Sequence, residues 1–156
     1  GVSEEDVTAY AHLFPLADMH LVNSILRNYI QVKEMPFYRA AIDRVDIEYG
    51  VACCYFPEGC SQNLLGILGD FFLSFQEIDF VALFARNSGK VNVSMRCEID
   101  ALNAANIMRS ALDGIGFGGG HADMAGGIIP DAAVFEEASV FARVRELVAD
   151  ASQSQR

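Results

Sequence analysis

Positive charge is scarce in this chain: 11 Lys and Arg stand against 21 Asp and Glu, a net charge of −10 over 156 residues. A protein that grips long nucleic acid neutralises many phosphates with basic side chains, so this balance argues against that class. A short or single-nucleotide ligand held by one or two arginines stays open. No run of about 18 apolar residues occurs, which excludes a membrane-spanning helix. The start, Gly1-Val2-Ser3-Glu4-Glu5-Asp6, lacks the basic region and apolar run of a signal peptide. With Gly rather than Met in first place, the sequence reads as an excised piece of a longer protein. No two cysteines are spaced as CxxC. Cys53, Cys54, Cys60 and Cys97 fall mostly on strand-like segments and read as buried free thiols of a reducing cytoplasm, ahead of a metal site built from Cys53, Cys60 and a distant histidine. Also absent are a GxxxxGK[ST] phosphate loop, a GxSxG nucleophile elbow, internal repeats, low-complexity tracts and flexible linkers.

What is present is apolar and rich in glycine. A hydrophobic content of 52% with 11 Phe excludes disorder, and the length suits one domain with a small attached piece. Seven of the 13 glycines fall between positions 114 and 127, far more than a turn uses. Glycine lets another molecule approach the main chain closely, at an entropic cost to folding. Consecutive glycine amides pointing one way would form an anion-binding nest, and His121 after the triplet Gly118-Gly119-Gly120 would add a directed donor or acceptor. Phosphate or a nucleotide is the natural guest. A helix C-cap explains Gly114 and Gly116 but not the triplet. Gly114, Gly116 and Gly119 also fit GxGxxG. The segment before them reads as a helix, and 124–129, stopped by Pro130, reads as a strand, so the dinucleotide-binding fold is rejected.

In chain order, Ser3 and Asp6 form a capping box ahead of a first helix ending at Pro15. Residues 18–33 make a second, amphipathic helix carrying Leu21, Val22, Ile25, Leu26, Tyr29 and Ile30. His12 and His20 receive no role. Residues 37–47 and 51–56, rich in aromatic and β-branched side chains, read as a hairpin turning at Glu48-Tyr49-Gly50. Asp43, Arg44, Asp46 and Glu48 on its first strand suit a solvated face, since no basic partner lies beside them. A buried helix over 61–76, in which Gly66 and Gly69 allow close packing, precedes a second hairpin, 79–86 and 90–99, turning at Asn87-Ser88-Gly89. A helix over 101–112, a short strand after the glycine segment and a helix over 131–149 complete the chain, with 152–156 frayed. The expected fold is α/β: a mixed β-sheet of about five strands packed with helices, preceded by a helical connector.

Arg96 sits mid-strand among apolar neighbours, so its charge requires either an exposed strand face or an anionic partner. A guanidinium can hold phosphate with two parallel hydrogen bonds. The pattern by itself leaves both open. The succession Ser94-Met95-Arg96, a helix, then Gly118-Gly119-Gly120-His121 followed by Ala125-Gly126 resembles the C-terminal lobe of DHH-family phosphoesterases, where an S-x-R strand and a GGGH-x-x-A-G loop recur about one helix apart. The preceding hairpin, apolar helix and hairpin match that lobe in order.

The resemblance implies a helical connector over 1–35 and a DHH-associated substrate-recognition domain over 36–151. It implies that Arg96 binds phosphate, that Gly118, Gly119 and Gly120 offer backbone amides, and that His121 orients the phosphate or base. No catalytic residue or metal ligand is carried over onto this chain. The family's N-terminal lobe, with its DHH triplet and the aspartates that hold manganese, is not in the sequence given. The implied parent is therefore a cytoplasmic, manganese-dependent hydrolase of short oligonucleotides or nucleotide phosphates, whose other lobe activates water while this one grips the substrate, and the fragment alone would be inactive. Two departures stand out: Cys97 replaces a common Ser, and Ala122-Asp123 follows the histidine where a lysine is frequent, placing a carboxylate where it would repel phosphate. The alternative is a non-catalytic domain that binds a small ligand or forms a homodimer through its sheet edge. RNA binding of the kind seen for related lobes of alanyl-tRNA synthetase is disfavoured by the charge.

Overall fold

The computed structural model describes residues 2–27, 30–100 and 102–153. Tyr29 of the expected second helix, Ala101 at the expected start of the fourth, and residues 154–156 of the frayed end lie outside them. The chain forms two compact units, Gly1–Met35 and Pro36–Arg156.

In the first unit, α1 (Glu4–Leu13) starts at Ser3, whose hydroxyl accepts from Asp6 N at 3.2 Å while the Asp6 carboxylate accepts from Ser3 N at 2.9 Å. These backbone and hydroxyl hydrogen bonds hold the Asp6 carboxyl below its ordinary pKa. Pro15 sits in a short 3-10 turn, Phe14–Leu16. Asp18 then caps α2 (Met19–Arg27), accepting from His20 N and Leu21 N at 3.0 and 3.1 Å. The expected run to Lys33 is not continuous: α2 is described to Arg27, and Val32–Glu34 is a separate 3-10 turn with its own Gln31/Glu34 capping box.

The second unit opens with a correction. Residues 37–44 are not a strand but part of α3 (Met35–Arg44). Aromatic content suggested β structure, yet Ala41 is fully buried and Phe37 and Val45 pack against the same core, a spacing of four that suits a helix. Asp43 accordingly meets Arg39 one turn away at 3.5 Å. The remaining strand is short, β1 (Asp46–Glu48), followed by β2 (Val51–Phe56), α4 (Gln62–Leu73), β3 (Phe80–Asn87), β4 (Lys90–Cys97), α5 (Ala104–Ala111), β5 (Phe117–Gly120), β6 (Met124–Ile129) and α6 (Glu137–Gln153). The β1–β2 and β3–β4 hairpins turn at Tyr49-Gly50 and Ser88-Gly89, all four residues at positive φ, the turn that matches strand twist.

The sheet order is β1-β2-β3-β4-β6-β5. Only β2 and β3 run parallel, joined by the α4 crossover, and the other pairs are antiparallel, giving the mixed α/β sheet expected. Six strands replace about five because the glycine triplet is itself part of β5. Alternation sorts each strand into two cores. Cys54, Phe56, Val81 and Leu83 pack under α4 and α3; Cys53, Phe80, Phe84, Val93 and Met95 pack under α5 and α6. α4 lies over β3 and β4, and the same face of β6 and β5 is left open, with Phe117 and Met124 exposed on it.

Candidate functional site

β4 turns Asn92, Ser94 and Arg96 toward the α4 face, and register places Gly126 opposite Ser94 and Met124 opposite Arg96. Arg96 does not lie free on this surface. Its side chain is 17% exposed and runs along α4 where that helix has no side chains: a Cβ on Gly69 would stand 2.9 Å from Arg96 Cγ, and one on Gly66 2.9 Å from Nη2. The two glycines that weaken α4 as a helix therefore form the notch that receives this arginine. Arg96 Nε donates to Asp70 Oδ1 at 2.7 Å, and Nη1 donates to Ser94 Oγ at 3.2 Å and to Met95 O at 3.1 Å. Nη2 makes no hydrogen bond among the described residues. The expectation of two free parallel donors is thus narrowed to one terminal nitrogen, unless Asp70 yields. Ser94 itself is only 3% exposed, the one buried polar side chain among the described residues.

Arg96, Ser94, Gly120, His121 and Gly126 line a common pocket of about 230 Å³, with Gln62 and Gly66 on its α4 side. So the structure brings Arg96, Gly120 and His121 together. The hairpin carrying His121 is pinned at four points: His121 N donates to Met124 O at 2.7 Å, Cys97 N to Asp123 O at 2.9 Å, Ala104 N to Ala122 O at 2.8 Å, and Ala105 N to His121 O at 3.2 Å. The ring of His121 stays exposed and makes no hydrogen bond among the described residues.

A nest of glycine amides is not what forms. In a strand, successive amides point to opposite sides, and antiparallel alternation counted from the His121–Met124 bond turns the Gly118 and Gly120 amides to the free edge of β5 and the Gly119 amide toward β6. Nor do the three glycines serve alike. A Cβ on Gly118 would stand 2.6 Å from Met108 Cγ and 2.8 Å from Gly126 O, so close packing against α5 requires glycine there. At Gly120 it would collide with Met124 O and Ala125 Cα. At Gly119 it would meet only Arg109 Nη1, at 3.8 Å.

The two departures from the DHH pattern fall elsewhere. Cys97 faces the α5 core, its Sγ directed at Ile99 O at 3.6 Å, and Asp123 lines a separate hollow with Glu98 and Asp100. The carboxylate is not in the Arg96 pocket. All four cysteines are buried and in no disulfide, and burial pushes the Cys53 and Cys54 thiols up to about 12, which leaves them neutral and unreactive near pH 7. Among the described residues no group of three or more His, Cys, Asp or Glu could hold a metal ion, and no helix is long and apolar enough to cross a membrane.

Sequence reasoning missed Gln62, which lines the pocket, and Asp70, which holds Arg96, since both owe their place to α4 packing over β4. It also missed Arg109, held by Asn106 Oδ1 at 2.6 Å beside the β5 backbone, and Arg145, whose partners are far away in sequence. Arg145 Nη2 meets Asp46 Oδ2 at 2.8 Å and Nη1 meets Glu48 Oε2 at 3.3 Å, beside a hollow of about 370 Å³ that also includes Tyr49 and Asp79. Asp46 and Glu48 are therefore not merely solvated decoration. Nothing adjacent in sequence signalled their partner.

The family model of the DHHA1 domain matches residues 48–150. The chain belongs to the DHHA1 domain family. No curated protein matches it in sequence. Among solved structures, RecJ of Thermus thermophilus in complex with Mn2+ is similar at 26% identity and TM-score 0.61, over 95% of this chain and 20% of RecJ. An exopolyphosphatase-related protein from Bacteroides fragilis shares 13% identity at TM-score 0.68, over 92% of this chain and 43% of its own. The C-Ala domain of Aquifex aeolicus alanyl-tRNA synthetase shares 22% identity at TM-score 0.50, over 69% of this chain and 96% of that domain. The last two likenesses concern the fold alone. This DHHA1 domain spans about a fifth of RecJ and less than half of the exopolyphosphatase-related protein. In RecJ-like proteins a DHHA1 domain accompanies an N-terminal DHH catalytic domain.

Proposed function

We propose that this DHHA1 domain is the substrate-recognition lobe of a DHH-family phosphoesterase and holds a phosphate of a short oligonucleotide or nucleotide in the Arg96 pocket. The observation that carries the reading is the state of Arg96: a charge seated in a notch of two helix glycines, braced through Nε and Nη1, with Nη2 unbonded in a pocket that also holds Ser94 and His121. Bracing fixes the guanidinium in advance of binding, so little side-chain entropy is lost when phosphate arrives. Ser94 supplies a hydroxyl whose proton is free to donate, and the His121 ring supplies a further donor. Gly118 and Gly120 offer amides along the β5 edge.

In this reading the N-terminal lobe of the same cytoplasmic protein is the partner and supplies the manganese chemistry. The described residues of this chain do not fit such an ion, and the domain alone does not hydrolyse substrate. Its contribution is to fix the phosphate and the bond beyond it at a constant position, the positioning part of catalysis. The RecJ likeness, a protein described with Mn2+ and with Mg2+, supports this assignment. A chain of charge −10 is unsuited to gripping long RNA, which sets the C-Ala likeness aside as one of fold. The alternative, a non-catalytic binding or homodimerisation domain, draws on the free edge of β5.

The test is Arg96→Ala, titrated with inorganic phosphate and a 5′-phosphorylated dinucleotide. Loss of a charge-assisted hydrogen bond predicts an affinity drop of roughly 1.5 to 3 kcal/mol. Equal affinity in the two proteins removes Arg96 from the site.

A further inference from the structure

Beyond Ser94 the open face of the sheet continues into a second hollow of about 360 Å³, lined by Asn92, Phe117 and Ile128, and the two hollows share Gln62 and Gly126. Register sets Asn92, Ile128 and Phe117 in one row across β4, β6 and β5. That row lies four residues from Arg96 along β4, on the order of 13 Å.

The chemistry changes along this trough. Near Arg96 it offers a cation, a hydroxyl and an imidazole; at the far end no lining side chain is charged. There Phe117 is 65% exposed. The Asn92 amide makes no hydrogen bond among the described residues. Gln62 uses only Nε2, on Val93 O at 3.2 Å, which leaves Oε1 as an acceptor. Between the ends the floor is Gly126, and register sets Gly119 beside it on β5. Neither has positive φ, and a Cβ would meet only Gln62 Nε2 at 3.7 Å or Arg109 Nη1 at 3.8 Å. Neither backbone conformation nor internal packing demands glycine at these two positions. Close approach by another molecule is the remaining physical reason for bare backbone.

We infer that the far hollow is a nucleobase subsite: with the phosphate on Arg96, the sugar crosses the glycine floor and the base stacks on Phe117 with its polar edge toward Asn92 and Gln62. The inference rests on the phosphate reading above and narrows its substrate class to nucleotides. An inorganic phosphate chain would require further cations in the far hollow, whose lining side chains carry no charge; Arg109, beside Gly119, is tied to Asn106 Oδ1 at 2.6 Å.

The full chain, titrated with inorganic phosphate, ribose 5-phosphate and adenosine 5′-monophosphate, tests this. The nucleotide should bind roughly 10-fold more tightly than ribose 5-phosphate, the scale of one base stacked on an aromatic ring. It should also shift the NMR signals of the Phe117 ring and the Asn92 and Gln62 amides. Phe117→Ala should abolish that preference and leave ribose 5-phosphate affinity unchanged, whereas Phe117→Tyr should keep it. Equal binding of the two phosphates, unmoved by Phe117→Ala, overturns the subsite; if Arg96→Ala still weakens both, the phosphate reading survives. Silence of all three probes at millimolar concentration overturns both. A concentration-dependent dimer with the β5 amides protected from exchange makes the edge a chain–chain interface and also overturns the subsite.

Discussion

Arg96 and Arg145 are buried to the same degree, 17% and 16% of their side chains exposed, and both pair with carboxylates, but they leave different remainders. Arg145 reaches from α6 to β1, where alternation brings Asp46 and Glu48 to one side, and it also donates to Asp46 O at 3.2 Å. Both terminal nitrogens are taken, and two carboxylates face one guanidinium; only Nε, buried behind them, lacks an acceptor. Burial acts to lower its pKa, but the Asp46 hydrogen bond and the surrounding negative charge outweigh it and hold the group above its ordinary value. Arg96 has one carboxylate, itself 66% exposed, and a terminal nitrogen directed into an open pocket. A partly buried arginine whose terminal donors are all taken ties elements together. One held rigid with a donor left over is arranged for something outside the fold.

The largest test of that contrast is Arg145→Ala. It leaves Asp46 and Glu48 facing each other without a cation and releases α6 from the edge strand. Fully buried pairs lose about 3 to 5 kcal/mol on such truncation, and the half-exposed carboxylates here reduce the expected loss to about 2 kcal/mol. Urea unfolding should show it, with phosphate affinity unchanged. Arg96→Ala should do the reverse, costing about 1 kcal/mol or less in stability because Asp70 is solvated. If Arg145→Ala weakens phosphate binding as much as Arg96→Ala, the division between the two arginines fails.

The glycines of β5 extend the contrast to backbone. Gly118→Ala drives a methyl into Met108 and into the Gly126 and Gly127 backbone, a clash that costs about 1 to 3 kcal/mol in a packed region. Gly119→Ala meets no such atoms and removes unfolded-state entropy, so its stability should stay level or rise by up to about 1 kcal/mol. Nucleotide affinity should nonetheless fall for Gly119→Ala, because the methyl stands beside the floor of the trough. Thermal melts and titrations of the two variants separate packing glycine from site glycine; identical behaviour would mean that the two faces of β5 are not distinguished in this way.

These contrasts also show which parts of the molecule could be read in advance. The hairpins at Tyr49-Gly50 and Ser88-Gly89 were legible because a two-residue turn is encoded by the residues that make it. The glycine stretch stood out by its residue types, but the strand pattern left Arg96 open, and only the resemblance to the DHH-family pattern joined the two. The rest of the pocket and the seat of Arg96 were not legible, because Gln62 and Gly66 in the one and Gly69 and Asp70 in the other owe their place to α4 packing across β4, and nothing in residues 61–76 announces which strand lies beneath. Residues 37–44 misled because aromatic and branched side chains favour strands only weakly, and the spacing of Phe37, Ala41 and Val45 decided against them. The glycine triplet read as a loop because glycine weakens strands, yet the register with β6 and the pinned His121 turn impose extended backbone. Arg145 hydrogen-bonds a carbonyl 99 residues away, beyond the reach of any local pattern.

The smallest and most discriminating change is Gly66→Ala. In a helix interior alanine is favoured over glycine by about 1 kcal/mol, so on propensity alone the variant gains stability. The new Cβ would stand 2.9 Å from Arg96 Nη2, and relieving that contact turns the guanidinium out of its bonds to Asp70 and Ser94, which costs about 1 kcal/mol or less because Asp70 is solvated. Nη2 is also the nitrogen that carries the proposed phosphate contact. Stability and affinity are therefore expected to move in opposite directions: a melting temperature level or a few degrees higher, and phosphate binding weaker by several-fold. A variant that melts higher and binds phosphate as well as the parent would show that Nη2 does not touch the ligand. One that loses both together would show that Arg96 also braces α4 against β4.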